Sequence, residues 1–80
     1  MTARLSVRRV WPPREEGMAF LIIARQGVMG TIHKLYTRNQ FVASLCRRAE
    51  ENQHADLLVT WSDKQTITQV EPVTGDCHVA

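Results

Sequence analysis

The side chains of this 80-residue chain that could do chemistry are few and scattered. The soft metal-ligand candidates are His33, His54, His78, Cys46 and Cys77. None stands in a Cys-x-x-Cys or His-x-x-x-His arrangement, the spacings that bring two ligands to one ion. Cys77 and His78 are adjacent, so their side chains diverge in an extended segment, and zinc binding there would need a third ligand from elsewhere. Neither cysteine has an activating neighbourhood, and no serine sits in a Gly-x-Ser-x-Gly elbow. His54-Ala55-Asp56 could supply a base and its orienting carboxylate only if a loop brought a nucleophile to them. A histidine at a helix C-terminus is the plainer role for His54, because a partly cationic imidazole suits that end of the dipole.

General acid–base cleavage of RNA needs only basic residues with a His and a Tyr. His33, Lys34, Tyr36 and Arg38 are the set to consider. Alternation along a strand puts His33 on the opposite face from Lys34 and Tyr36, which separates them. Gly27-Val28-Met29-Gly30 has no following lysine and leads into a strand, so it offers no helix N-terminus to a phosphate. The sequence therefore predicts no catalytic residue, no metal site and no cofactor, and a protein that is not an enzyme.

The elements that position these residues read as follows. Residues 3–11 alternate as a strand, with Leu5, Val7 and Trp11 on one face and Arg4, Ser6 and Arg8 on the other. Arg9 interrupts the apolar face, which predicts an edge strand, and Pro12-Pro13 ends it. Residues 18–25 are apolar on both faces, which predicts a central strand covered on both sides. A glycine-bearing loop leads to a strand at 31–37. Thr37 and Gln40 have capping-box spacing, with Asn39 as a competing N-cap, ahead of a helix over roughly residues 39–52. Its apolar stripe is Phe41, Val42, Leu45, Cys46 and Ala49, which predicts Leu45 buried against 18–25. Strands at 56–62 and 65–71 follow, joined by a turn at Asp63-Lys64, and the second has the polar faces of an edge strand. The fold class is α+β: a small antiparallel or mixed sheet of four to five strands, with one amphipathic helix packed on one face, in the order β-β-β-α-β-β. Residues 1–72 form a single domain and residues 73–80 a flexible C-terminal tail.

An apolar fraction of 44% supports a folded chain. No apolar run approaches the roughly 20 residues that span a bilayer, and no signal peptide precedes the first strand, so no membrane role is expected. Two cysteines are too few for a disulfide scaffold, which points to a reducing cytoplasm. Net charge is +2, yet residues 1–40 carry seven basic and two acidic residues, and residues 41–80 carry three basic and six acidic.

Without chemistry, the protein must act by its surface. Arg4, Arg8, Arg9, Trp11, Arg14, Arg25, Lys34 and Arg38 are the candidate partner-binding residues. Trp11, next to two prolines and flanked by arginines, has the composition of an interface hot spot. The partner reading favoured by sequence is a host protein or protein complex. Its concrete form is a small phage-type or mobile-element inhibitor that occupies a surface of host machinery such as a CRISPR–Cas or nuclease complex. The alternative is a small basic nucleic-acid-binding protein, and the third is a ribonuclease-like toxin. A contiguous positive face from residues 4, 8, 14, 25, 34 and 38 would favour nucleic acid. An acidic patch from Glu50, Glu51, Asp56 and Asp63 would favour a protein. A small core with open strand edges also predicts a two-fold homodimer.

Overall fold

The computed structural model describes residues 1–52 and 55–73. Five strands and one helix follow in the predicted order: β1 (Thr2–Trp11), β2 (Phe20–Arg25), β3 (Ile32–Thr37), α1 (Gln40–Glu51), β4 (Leu57–Trp61) and β5 (Ile67–Pro72). The fold is α+β, as expected. All strand pairs are antiparallel in one sheet of order β3-β2-β1-β4-β5.

β1 is the central strand of this sheet, which corrects the edge assignment made from Arg9. Its first half, Thr2 to Leu5, pairs with β4, and its second half, Ser6 to Trp11, pairs with β2. The pairing with β2 slips between Val7 and Arg9, so Arg8 is an extra residue in a β-bulge. The slip reverses the alternation. Leu5 and Val7 face the core before it, and Val10 does so after it. Trp11, expected beside Leu5 and Val7, faces out instead at 49% exposure. The predicted homodimer rested in part on β1 as an open edge, and that edge is not present.

The sheet curls until its two outer strands meet. Tyr36 N donates to Gln65 O at 2.8 Å, and Tyr36 forms a parallel bridge with Thr66. Inside the same junction the His33 ring lies 5.0 Å from the Trp61 ring. Gln65 adopts φ +63°, the left-handed conformation that turns its carbonyl toward β3. The result is a small, partly open, five-stranded barrel with Greek-key connections.

Asn39 is the helix N-cap, and its Oδ1 accepts from Phe41 N at 2.8 Å and Val42 N at 3.2 Å. Thr37 instead stays in β3, where its Oγ1 accepts from Asn39 N. The helix packs mainly against β1 and reaches β2, β3 and β5. Its buried residues are Ala43, Cys46 and Ala49. The predicted stripe is thus rotated: Phe41 is 71% exposed and Leu45 only half-buried. Small side chains at 43, 46 and 49 let the helix approach the strands closely, and Phe41 would hold it away. Beyond Leu5, where β4 no longer pairs with β1, the helix takes over. Glu50 Oε1 accepts from Val10 N at 3.2 Å.

The core is Leu5, Val7, Val10, Ile22, Ala24, Leu35, Leu57, Val59, Trp61 and Ile67, closed by Cys46 and Ala49. The β2–β3 loop needs its glycines. Gly27 has φ +75°, and a Cβ at Gly30 would lie 1.6 Å from Gln26 O. His54, the predicted 73–80 tail beyond Val73, and the Cys77–His78 pair lie outside the described residues.

Leu5→Ala should lower stability by about 2–5 kcal/mol, since its side chain is fully enclosed. Phe41→Ala should change it by no more than about 0.5 kcal/mol. Urea unfolding of both variants checks this, and equal losses would contradict the helix orientation. Burial also pushes the Cys46 thiol up to about 11 from 9.0. The folded state then holds this proton more tightly than the unfolded one. Its contribution is complete below pH 9 and is lost as pH rises toward about 11. Stability of the parent should fall across that window more steeply than that of Cys46→Ala, measured by denaturation at several pH values.

Candidate nucleic-acid interface

Strands β1, β2 and β3 carry Arg4, Arg8, Arg9, Arg25 and Lys34 and not one acidic residue. Where each side chain points follows from burial and register. The inward set is Val7, Val10, Ile22, Ala24 and Leu35, so the residues between them face outward. The bulge places both Arg8 and Arg9 on this outer face, since neither is buried between Val7 and Val10.

Register aligns the outer face in rows, because residues directly opposite one another in an antiparallel pair share a face. Trp11 stands opposite Leu21, which stands opposite Tyr36. Arg9 stands opposite Ile23, which stands opposite Lys34. Ser6 stands opposite Arg25, which stands opposite Ile32. Each row crosses three strands, so its ends are roughly 10 Å apart. The rows combine aromatic ends, aliphatic centres and cations.

β2 was expected to be covered on both sides. Only its inner face is. Leu21 and Ile23 remain half-buried on the outer face, where none of the described buried residues lies. They are the site residues that sequence reading missed, and Tyr36, named there only in the acid–base set, joins them as an outward aromatic. The second apolar face of β2 was the signal, and it had been assigned to packing.

Within this face the Arg9 guanidinium lies 4.7 Å from the centre of the Trp11 ring, a cation–π contact that holds both side chains in place. Arg4, Arg8 and Arg25 come together around a surface depression of about 370 Å³. Arg4 Nε donates to Asp56 Oδ2 at 2.9 Å, the one ion pair among the described residues. Arg25 Nη1 donates to Val28 O at 3.3 Å, and its Nε is buried without a partner among the described residues. Lys34 shares the face two strands from β1.

Two candidates do not join the set. Arg14 lies in the β1–β2 loop, outside the depression, and Arg38 Nε donates to Gly17 O at 3.2 Å, tying that loop to the end of β3. Two of the four residues of the alternative acidic set are already engaged: Glu50 bonds Val10 N and Asp56 pairs with Arg4. His33 turns inward against Trp61, away from Lys34 and Tyr36, so the acid–base set for RNA cleavage is not assembled.

No family model, curated protein or solved structure matches the chain.

Trp11 is half-exposed and Trp61 is buried, so the two should separate in acrylamide quenching. Quenching of the parent should be dominated by Trp11, and Trp11→Phe should leave blue-shifted, weakly quenched emission from Trp61. Equal quenching in both proteins would place Trp11 in the core and undo the bulge-based assignment.

Proposed function

We propose that this protein binds single-stranded nucleic acid across the outer face of β1, β2 and β3. The observation that carries this reading is the uncovered row Trp11–Leu21–Tyr36, set among five cations in strands that hold no carboxylate. Exposed aromatic rings give unpaired bases a surface to stack on, and every base has a face to offer, so such binding tolerates any sequence. Cations in adjoining rows take the phosphates. A duplex hides its base faces and would leave Trp11 and Tyr36 without a role.

The topology adds independent support. A five-stranded Greek-key barrel with this strand order, closed by a parallel bridge between the third strand and the residue just before the fifth, resembles the OB fold. Barrels of that kind bind oligonucleotides and oligosaccharides on the face of their second and third strands and on the neighbouring loops. A shared topology alone assigns no function, so the weight rests on the side chains.

One observation favours a second reading. Trp11 with Arg9 stacked on it is also the pairing found at protein–protein hot spots. An inhibitor that occupies a host protein would use this face against an acidic partner surface.

The test is fluorescence titration with a single-stranded oligonucleotide and the same sequence as duplex, at several salt concentrations. Single strand should bind tighter, with a log–log salt slope of roughly −3 if four of the five cations each take a phosphate. Trp11→Ala and Tyr36→Ala should each cost about 1–3 kcal/mol. Arg8→Gln should reduce the salt slope by about 0.7. Binding of neither form, or an affinity indifferent to both aromatics, would reject the nucleic-acid reading and leave the protein partner.

A further inference from the structure

The cations of the outer face are not evenly spread. Three of the five, Arg4, Arg8 and Arg25, surround one depression at the end of the face away from Trp11, and Asp56 contributes its carboxylate to the same wall. Its net charge is three positive and one negative, or +2. An internal phosphodiester carries a single charge and needs one cation. A phosphate monoester at the end of a strand carries about −1.5 to −2 at neutral pH and offers three acceptor oxygens.

We infer that this depression seats the terminal phosphate monoester of the bound strand. The inference rests on the single-strand reading above and adds to it which part of the strand is held here.

The donor inventory fits. Among the described residues Arg4 is engaged through Nε alone, with no partner on either of its Nη groups. Arg8 has no hydrogen-bond partner among the described residues and is exposed at the bulge, free to swing over the depression. Arg25 donates from Nη1 to Val28 O at 3.3 Å and its Nε is buried, which leaves its Nη end to face a ligand. A guanidinium presents paired N–H groups in the fork geometry that phosphate oxygens match, so three converging forks suit a group with three oxygens. Asp56 orients Arg4 and keeps the depression at the charge of the monoester. The volume of about 370 Å³ exceeds what a phosphate needs, and Val28 supplies an apolar wall for the sugar that carries it. From Arg25 the outer face continues through Ile23 and Leu21 along β2 toward Trp11 and Tyr36, so a strand anchored here runs onto the stacking row.

The experiment compares the full chain binding one short oligonucleotide in four forms: with hydroxyl ends, with a 5′-phosphate, with a 3′-phosphate, and with hydroxyl ends but one nucleotide longer. The longer strand controls for one added charge. Inorganic phosphate and a mononucleotide serve as competitors. A phosphate at one terminus should tighten binding about tenfold over the hydroxyl-ended strand, well beyond the longer control. In Arg4→Gln and Arg8→Gln that ratio should fall close to one. In Lys34→Gln, on the same face but outside the depression, the ratio should persist while affinity for every form drops alike. Equal affinities for all four forms would overturn the inference and leave the single-strand reading standing. So would competition by inorganic phosphate or mononucleotide as strong as that by the phosphorylated strand, which would make the depression a small-anion site. Failure of every oligonucleotide to bind would overturn both.

Discussion

Between Val7 and Arg9 the ladder joining β1 to β2 slips by one residue, and most of the architecture follows from that slip. A strand that kept strict alternation from Leu5 and Val7 would turn Arg9 and Trp11 into the core and Val10 out to solvent. Burying an unpaired guanidinium costs far more than a small domain's margin of stability. The extra residue removes the conflict. Val10 joins the core, and Arg8, Arg9 and Trp11 all go to the outer face. A bulge also bends its strand and increases the local twist. That bend lets one strand serve two partners, β4 along its first half and β2 along its second.

Curvature begun in β1 is completed at the opposite seam. β3 and β5 are the outer strands of the sheet, and each would present a row of unpaired backbone groups if the sheet were flat. The bond from Tyr36 N to Gln65 O joins them, at the cost of holding a non-glycine residue in the left-handed region. The same bond fixes β3 so that Leu35 and Thr37 point in and Tyr36 points out. Closure of the barrel and presentation of an aromatic on its surface are thus one arrangement.

Every element was legible in the sequence, with ends within two residues, because each rests on local period and on local breakers such as Pro12-Pro13, Gly27 and Asn39. What was not legible was non-local. No residue pattern states that residues 2–5 will pair with residues 57–60, and so the interrupted face of β1 read as an edge when it was a bulge in the central strand. The helix face was misjudged for a different reason. Phe41 and Leu45 dominate any hydrophobic count, yet Ala43, Cys46 and Ala49 make the contact, because close approach selects small side chains over large ones. Of the candidate site, the sequence named Arg4, Arg8, Arg9, Trp11, Arg25 and Lys34, which do share the outer face. It included Arg14 and Arg38, which do not join them, because linear proximity carries no information about which face a loop residue reaches. Leu21 and Ile23 went unnamed because an apolar strand looks the same whether its second face is covered by a helix or left for a ligand.

An overall charge of +2 is low for a partner of polyanions, but the charges are unevenly placed. Charges separated by more than about 8 Å are largely screened at physiological ionic strength, so a ligand responds to the charges beside it and not to the sum over the chain. None of the acidic residues lies in β1, β2 or β3, and Asp56, which lines the depression beside the face, is paired with Arg4. A ligand lying along the rows from Arg9 to Lys34 therefore meets cations backed by aliphatic side chains, where the effective dielectric is lower than in water and each attraction correspondingly larger. The described carboxylates lie in the β1–β2 loop, on the helix and in or beside β4 and β5, and they hold down the total charge.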